Sequence, residues 1–245
     1  MEVHAHSHTA RKKWTHYFWE FFMLFLAVFC GFMAEYQLEH VIENNREKVY
    51  IRSMREDLEK DTAHLSQIAR SFNIKIAALD TLIDYYADLE TGGYPHPFFR
   101  NVNHLFFFED LHPNDRTMQQ LKNAGGMRLI RKKIAADSII EYDSRIKDAL
   151  TEQDGINNLF HKLQDIGELI NIPAIESVMD FNDPGNLELN NTRILFSKDK
   201  MILGKYNTWM RLFRQYAWNY MLFLHDTNAQ ATRLIEVLKK EYHLK

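Results

Sequence analysis

Histidines are the first residues in this sequence whose spacing could serve chemistry. His4, His6 and His8 alternate in a polar N-terminal tail, and neutral imidazole is a common ligand of divalent metals. A flexible tail rarely holds ligands in a fixed geometry, so we expect a tail without a metal site. The later histidines show no ligand spacing: His64, His96, His104, His112, His161 and His225.

Motifs of enzymes are missing from the sequence as well. It contains no His-Glu-x-x-His, no Gly-x-Ser-x-Gly, no phosphate-binding loop and no dinucleotide fingerprint. Its only cysteine, Cys30, allows neither an intrachain disulfide nor a cysteine cluster. Acids and bases alternate, as in residues 57–61, which is typical of solvated helix faces and leaves no basic patch. We therefore predict no enzyme, no cofactor and no nucleic-acid partner.

Glu20 is the only charged residue in an apolar stretch, YFWEFFMLFLAVFCGFM, at residues 17–33. A membrane helix needs ~17–25 such residues. The stretch is too long and too aromatic for a signal peptide and lacks a small-x-small cleavage site. We therefore predict a retained transmembrane helix over residues 14–36. Nothing later in the sequence is comparably apolar, which predicts a single-pass protein with the lipid bilayer as a partner.

The charges beside this stretch predict its orientation. Arg11, Lys12 and Lys13 precede it, whereas acidic residues follow it. Basic residues stay on the cytoplasmic side of a membrane and anchor the helix there. We expect residues 1–13 to be a cytoplasmic tail and residues 37–245 to be an extracytoplasmic domain.

One side of the predicted membrane helix carries Glu20 and three small residues. Ala27, Gly31 and Ala34 follow Glu20 at intervals of seven, four and three residues, which places all four on one face. Small residues let two membrane helices approach closely, so the face could pack against a second copy or another membrane protein. Alternatively, Glu20 extends to the cytoplasmic edge of the bilayer, or it conducts protons.

Helical periodicity dominates the rest of the sequence. Apolar residues at steps of three and four predict long helices over residues 14–89, 134–170 and 199–242, and the first carries a stripe like that of a coiled coil. The polar run 43–48 is where the first helix could bend. Gly and Pro predict loops over residues 91–114 and 172–191. The predicted fold is all-α, with the membrane helix continuing into a long helix that is followed by an antiparallel helical bundle.

A short helix with an abrupt end is predicted after the first loop. Asn114 or Asp115 is a suitable N-cap, and a glycine pair about ten residues later permits a left-handed C-cap. We expect a structural corner that packs against the long helices, made of Thr117, Leu121, Gly125, Gly126, Leu129 and Ile130.

The same segments carry a family resemblance. The basic start is followed by a membrane helix with an early Glu20 and a Gly-x-x-Ala at residues 31–34, and by an acid-rich helix at residues 56–61. Residues 117–130 fit the pattern Thr-x-x-x-Leu-(x)₃-Gly-x-(Leu/Met)-x-Leu-Ile. In these features the chain resembles an uncharacterised family, filed as a domain of unknown function, of single-pass bacterial inner-membrane proteins. The resemblance implies a helical periplasmic domain and a location in the cytoplasmic membrane, and it implies no activity.

Three functions are compatible with the sequence. The leading interpretation is a membrane-anchored interaction or scaffold protein that assembles with itself or with partners in the envelope. A periplasmic ligand-sensing domain would need a pocket among the aromatic residues of the last helix. We expect Tyr206, Trp218 and Tyr220 to fill the core instead. The third possibility is an accessory subunit of an ion-coupled membrane complex that uses Glu20.

Overall fold

The protein is mainly helical in the part that its structure describes. A computed structural model describes residues 14–87, 101–102, 104–105, 109–123, 125–170, 197 and 199–244, and within them no strand occurs. The α-helices with defined bounds are α1 (Trp14–Asp84), α2 (Arg116–Asn123), α3 (Lys133–Leu169) and α4 (Lys200–Tyr242). The prediction of an all-α fold with a long N-terminal helix is confirmed.

Helix α1 stays helical through residues 43–48, where the sequence allowed a bend. By contact density the chain forms two compact units, Met1–Val49 and Tyr50–Lys245. The second unit contains the bundle.

Local sequence explains where the last helix begins and ends. The Asp199 carboxylate accepts a hydrogen bond from the backbone N–H of Met201 at 2.7 Å, which satisfies one of the free donors in the first turn of α4. At the other end, His243 adopts a left-handed conformation with φ 51°, and its N–H bonds the carbonyl of Lys239. The predicted bounds of this helix are therefore correct to within one residue.

In the second unit, α1, α3 and α4 pack around two apolar clusters. The first is built mainly by the stretch of α1 from Leu65 to Leu82, the second half of α3 and the first half of α4. The second joins Ile51 of α1 to Leu121 of α2 and to the beginning of α3 and the end of α4. The predicted apolar stripe of α1 is buried over most of its length: Ile51, Met54, Leu58, Leu65, Ile68, Phe72, Ile76 and Leu79.

Contacts along the bundle give the helix directions. Asp80 of α1 pairs with Arg214 of α4, and Ser66 bonds Asn228, so α4 runs antiparallel to α1. Helix α3 also runs antiparallel to α4, since Arg145 contacts Asp226 and Gln153 contacts Tyr220, so α3 runs in the same direction as this part of α1. Residues 109–123 return along α1 and make this arrangement possible.

Not every large apolar residue that was predicted to face the core does so. Trp218 is 41% exposed, and Leu212 and Tyr216 also lie on the surface of α4. Tyr206 and Tyr220 are buried as predicted. The helical repeat explains the difference, since Trp218 lies five residues beyond the buried Phe213 and about 140° around the helix from it. Ile134, at the beginning of α3, is likewise exposed and lies five residues before the buried Ile139.

Two predicted loops lie largely outside the described residues. Residues 172–191 lie wholly outside them, as do five phenylalanines of the first loop: Phe98, Phe99, Phe106, Phe107 and Phe108. Their described neighbours Val102, Leu105 and Leu111 are buried in the first apolar cluster.

Candidate functional site

The N-terminal part of α1 is long and apolar enough to cross a membrane. Its most apolar 18-residue window has a mean hydropathy of 1.8, and none of that window is buried by the chain itself. Large apolar side chains from Trp14 to Met33 are exposed accordingly. The prediction of a helix that could span a bilayer is confirmed to this extent.

Within this helix, Glu20 is paired with His16. The Nε2 atom of His16 lies 3.0 Å from a carboxylate oxygen of Glu20, one helical turn away. Sequence reasoning considered Glu20 and did not consider His16, although the i, i+4 spacing brings such side chains together on any helix. The contact gives the Glu20 carboxylate a polar partner within its own helix, which lowers the cost of placing it close to lipid.

Small and bulky side chains occupy opposite sides of this helix. The sequence-predicted packing face, formed by Glu20, Ala27, Gly31 and Ala34, is exposed. On the other side of the helix, aromatic rings stack along its length. The ring centroids of Phe18 and Phe22 lie 6.4 Å apart, and those of Phe25 and Phe29 lie 6.0 Å apart. From Ala27 to Ala34 this face is therefore the side on which another helix can approach most closely, whereas the exposed Leu24 lies on it between Glu20 and Ala27.

Gly31 lies in the middle of this face without any constraint from its own chain. A Cβ atom placed on Gly31 would meet no atom within 4 Å. Glycine inside a helix costs roughly 0.5–1 kcal/mol relative to alanine. A single chain therefore leaves room for a larger side chain at this position.

The predicted structural corner is present at the end of α2. Gly125 has φ 63°, a left-handed conformation that glycine adopts without steric cost. The next residue, Gly126, is buried, and a Cβ atom there would lie 3.1 Å from the Cα of Leu121. Thr117, Leu121 and Ile130 are buried and Leu129 is half-buried, while Leu121 and Ile130 join the second apolar cluster.

Asp57 of α1 binds the beginning of α2. Its Oδ2 atom accepts hydrogen bonds from the backbone N–H of Thr117 at 3.2 Å and from the Thr117 hydroxyl at 2.5 Å. Its other oxygen lies 3.4 Å from the guanidinium of Arg116. The sequence interpretation of residues 57–61 as a solvated face was wrong for Asp57 and Asp61, each only 3% exposed. They are buried because α2 and the residues before it pack on this face of α1.

Asp61 lies one turn further along α1 and binds the residues that lead into α2. Its Oδ1 atom accepts hydrogen bonds from the backbone N–H and the side-chain amide of Asn114, both at 2.8 Å. Its Oδ2 atom accepts one from the Tyr142 hydroxyl of α3 at 2.9 Å. Burial, and then the charge and hydrogen bond of Asp61, raise the pKa of Tyr142. Asp61 therefore joins α1, the segment before α2, and α3.

A cavity of about 30 Å³ lies between these groups. Its lining includes Asp57, Asp61, Asn114 and Tyr142. A cavity of this size holds about one water molecule, which needs two to four polar partners. The arrangement therefore suits a bridging water and is too small for an organic ligand.

Beside the structural corner, Lys122 and Lys147 both pair with the carboxylate of Asp143. Lys122 of α2 lies 2.5 Å from one oxygen of Asp143, and Lys147 lies 2.9 Å from the other. Partial burial acts to raise the pKa of Asp143, but the hydrogen bonds and charges of the two lysines outweigh it and hold the pKa below its usual value.

Lys75 is a buried amine elsewhere on α1. Its side chain is 2% exposed, and its Nζ atom donates a hydrogen bond to the backbone carbonyl of His104 at 3.1 Å. Burial lowers the pKa of Lys75 to about 8. No pattern in the sequence distinguishes Lys75 from exposed lysines beside the same apolar stripe, such as Lys60.

Metal ligands do not come together in the part of the chain that is described. Within it, no group of three or more His, Cys, Asp or Glu side chains is arranged to hold an ion. The tail histidines and the predicted anchor residues Arg11, Lys12 and Lys13 lie outside the described residues.

Comparisons with known proteins identify no relative. No protein-family model, no curated protein and no solved structure matches the chain. The family resemblance of its motifs stays a prediction.

Proposed function

We propose that this protein is a membrane-anchored interaction protein that assembles with a second copy or another membrane protein. The contact is made by the packing face of α1, formed by Glu20, Ala27, Gly31 and Ala34. The observation that carries the proposal is that this face is exposed along its whole length, with Gly31 at its centre, so that a second helix can approach its backbone closely.

The His16–Glu20 pair supports the same proposal. Two copies inserted in one membrane with the same orientation lie parallel, so each Glu20 comes close to the Glu20 of the other copy. The His16 imidazole gives each of these carboxylates a polar partner within its own chain.

We place the protein in the bacterial cytoplasmic membrane with its N-terminus inside and its bundle in the periplasm. The basic residues before the span and the acidic residues after it support this orientation. A reporter that is active only in the periplasm, fused after Lys245, should be active, and the same reporter fused before Met1 should be silent. The opposite pattern would reverse the proposed topology.

The bundle supports a scaffolding role over catalysis. The buried polar groups at Asp57 and Asp61 bind the backbone and side chains of their own fold. Groups engaged in this way hold segments together and are closed to a substrate. We therefore propose that the domain presents a surface to partners and performs no reaction.

The test is the native mass of the solubilised protein. Wild-type protein should form a defined oligomer or complex in mild detergent, and Gly31→Leu should reduce it to the mass of one chain. Val28→Leu adds bulk to a different side of the same helix and should leave the mass unchanged. A wild-type protein with the mass of a single chain, isolated without companions, would sink the proposal.

A further inference from the structure

The part of α1 that follows the span exposes a second apolar face. Leu38 is 61% exposed, Val41 55%, Ile42 41% and Val49 58%. Their spacing from Leu38 is three, four and eleven residues, so all of them lie within about 100° around the helix. Exposed apolar side chains at such spacing form one continuous stripe, as in a helix that packs on a partner.

The side chains on the opposite side of the same segment are less exposed. Glu47 is 3% exposed, and His40 and Glu43 are half-buried. The ring of His40 also packs edge-on against Tyr36, with centroids 4.2 Å apart. This segment therefore has a polar side of low exposure and an apolar side of high exposure.

The open apolar side continues the packing face of the membrane helix. Leu38 follows Ala34 by four residues, and Val41 follows Leu38 by three, which extends the alternation of fours and threes that begins at Ala27. An alternation of three and four is the repeat of a coiled-coil seam. One seam thus runs from the small residues of the span into larger apolar residues beyond it.

We propose that residues 38–45 pair with the same residues of a second copy as a parallel, two-stranded coiled coil, which ends before the charged Lys48 at the next position of the seam. This inference rests on the proposed function and specifies the partner as the chain itself. Copies inserted in one membrane with the same orientation are parallel and level, so each residue of the seam faces its own equivalent. A suitable seam must therefore be complementary to itself.

The seam meets this requirement at Asn45, its next position after Val41. An asparagine amide both donates and accepts hydrogen bonds, so two facing copies of Asn45 satisfy each other. One asparagine in an apolar seam also selects two parallel strands in register. The charged Glu39 and Arg46 are exposed and lie to one side of the seam, where they stay solvated.

Disulfide cross-linking in native membranes tests the proposal with the full chain. Cys30 is the only cysteine, so a Cys30→Ser variant provides a background without thiols. Single cysteines are then introduced on the seam as Leu38→Cys, Val41→Cys and Asn45→Cys. Matched controls, Glu39→Cys and Arg46→Cys, place the thiol on an exposed position of the same turns.

Seam positions should form cross-linked dimers on mild oxidation, with yields roughly fivefold above the controls, since a disulfide requires Cα atoms about 4.4–6.8 Å apart. Equal yields at all five positions would mean random collision and would overturn the proposal. A native dimer without cross-links at the seam would overturn it too, while leaving the proposed function intact. If the Cys30→Ser protein had the native mass of a single chain, the coiled coil and the proposed function would both be overturned.

Discussion

The carboxylate of Asp57 accepts two hydrogen bonds from Thr117, sixty residues further along the chain, one from the backbone N–H and one from the hydroxyl. The N–H groups in the first turn of a helix lack partners within that helix. A residue just before the helix usually supplies the acceptor. In this protein a different helix supplies it, so the start of α2 is stabilised only when α2 lies against α1.

The first prediction concerns this pair. Asp57→Ala leaves two buried donors of Thr117 without an acceptor and should lower the free energy of unfolding by about 3 kcal/mol. Thr117→Val, which removes only the hydroxyl, should lower it by about 1–2 kcal/mol. Chemical denaturation of the full-length protein in detergent, followed by circular dichroism, measures both changes.

The double variant separates a direct interaction from two independent effects. Asp57→Ala with Thr117→Val should cost less than the sum of the single changes by about 1–2 kcal/mol, because the second change removes a group that has already lost its partner. Glu56→Ala, an exposed acid on the same turn, should change stability by less than about 0.5 kcal/mol. Strictly additive costs would contradict a direct bond between Asp57 and Thr117.

The second prediction concerns Tyr142 of α3, which donates a hydrogen bond to Asp61. Tyr142→Phe removes the hydroxyl that donates to Asp61 and should cost about 1–2 kcal/mol in the same denaturation experiment, since the hydrogen bond is buried and its acceptor is charged. Tyr216→Phe removes the hydroxyl of an exposed tyrosine and should have no measurable effect. Equal effects of the two substitutions would show that the bond to Asp61 adds nothing to stability.

The helices and their ends could be predicted because neighbouring residues determine them. The apolar stripe of α1, the cap at Asp199 and the left-handed Gly125 all follow from patterns of a few residues. The His16–Glu20 pair belongs to the same class, since its i, i+4 spacing is visible in the sequence. These features depend on the local repeat of the helix and little on the rest of the fold.

The role of Asp57 and Asp61 could not be predicted in this way. In the sequence they alternate with Glu59 and Lys60, which are exposed, and nothing nearby distinguishes the buried acids from the solvated ones. Their burial depends on which distant segment packs on that side of α1. The exposure of Trp218 has the same origin, because composition shows that a helix is aromatic but the packing of its neighbours decides which side is covered.

The third prediction compares two glycines. Gly125→Ala should lower the free energy of unfolding by about 1–2 kcal/mol, because a residue with a Cβ atom is strained at φ 63°. Gly125→Asn should cost less, since asparagine tolerates this conformation better than alanine. Thermal unfolding of both variants in the same detergent measures the difference. If Gly125→Asn lowered the free energy of unfolding as much as Gly125→Ala, the left-handed conformation would not explain the loss.

Gly155 provides the opposite case within α3. It lies in the interior of a continuous helix, and a Cβ atom there would meet no atom within 4 Å. Gly155→Ala should therefore raise the free energy of unfolding by about 0.5–1 kcal/mol. A loss of stability at this position would mean that the glycine serves a contact outside the single chain.

The fourth prediction follows from the buried ammonium of Lys75. Burial lowers its pKa from 10.5 to about 8 in the folded protein. Between these two values the unfolded chain still holds the proton that the folded chain has released, so the unfolded state binds more protons and the free energy of unfolding rises with pH. From pH 8 to pH 9.5 the expected gain is about 1–2 kcal/mol.

Two substitutions assign this gain to Lys75. Lys75→Met should abolish the rise, whereas Lys60→Met, at an exposed lysine of the same helix, should keep it. The titration should stop below pH 10, because burial raises the pKa of Tyr206 and Tyr220 above that of a free phenol, and their ionisation on unfolding lowers stability at higher pH. Parallel curves for the wild type and Lys75→Met between pH 8 and pH 9.5 would contradict a lowered pKa at this lysine.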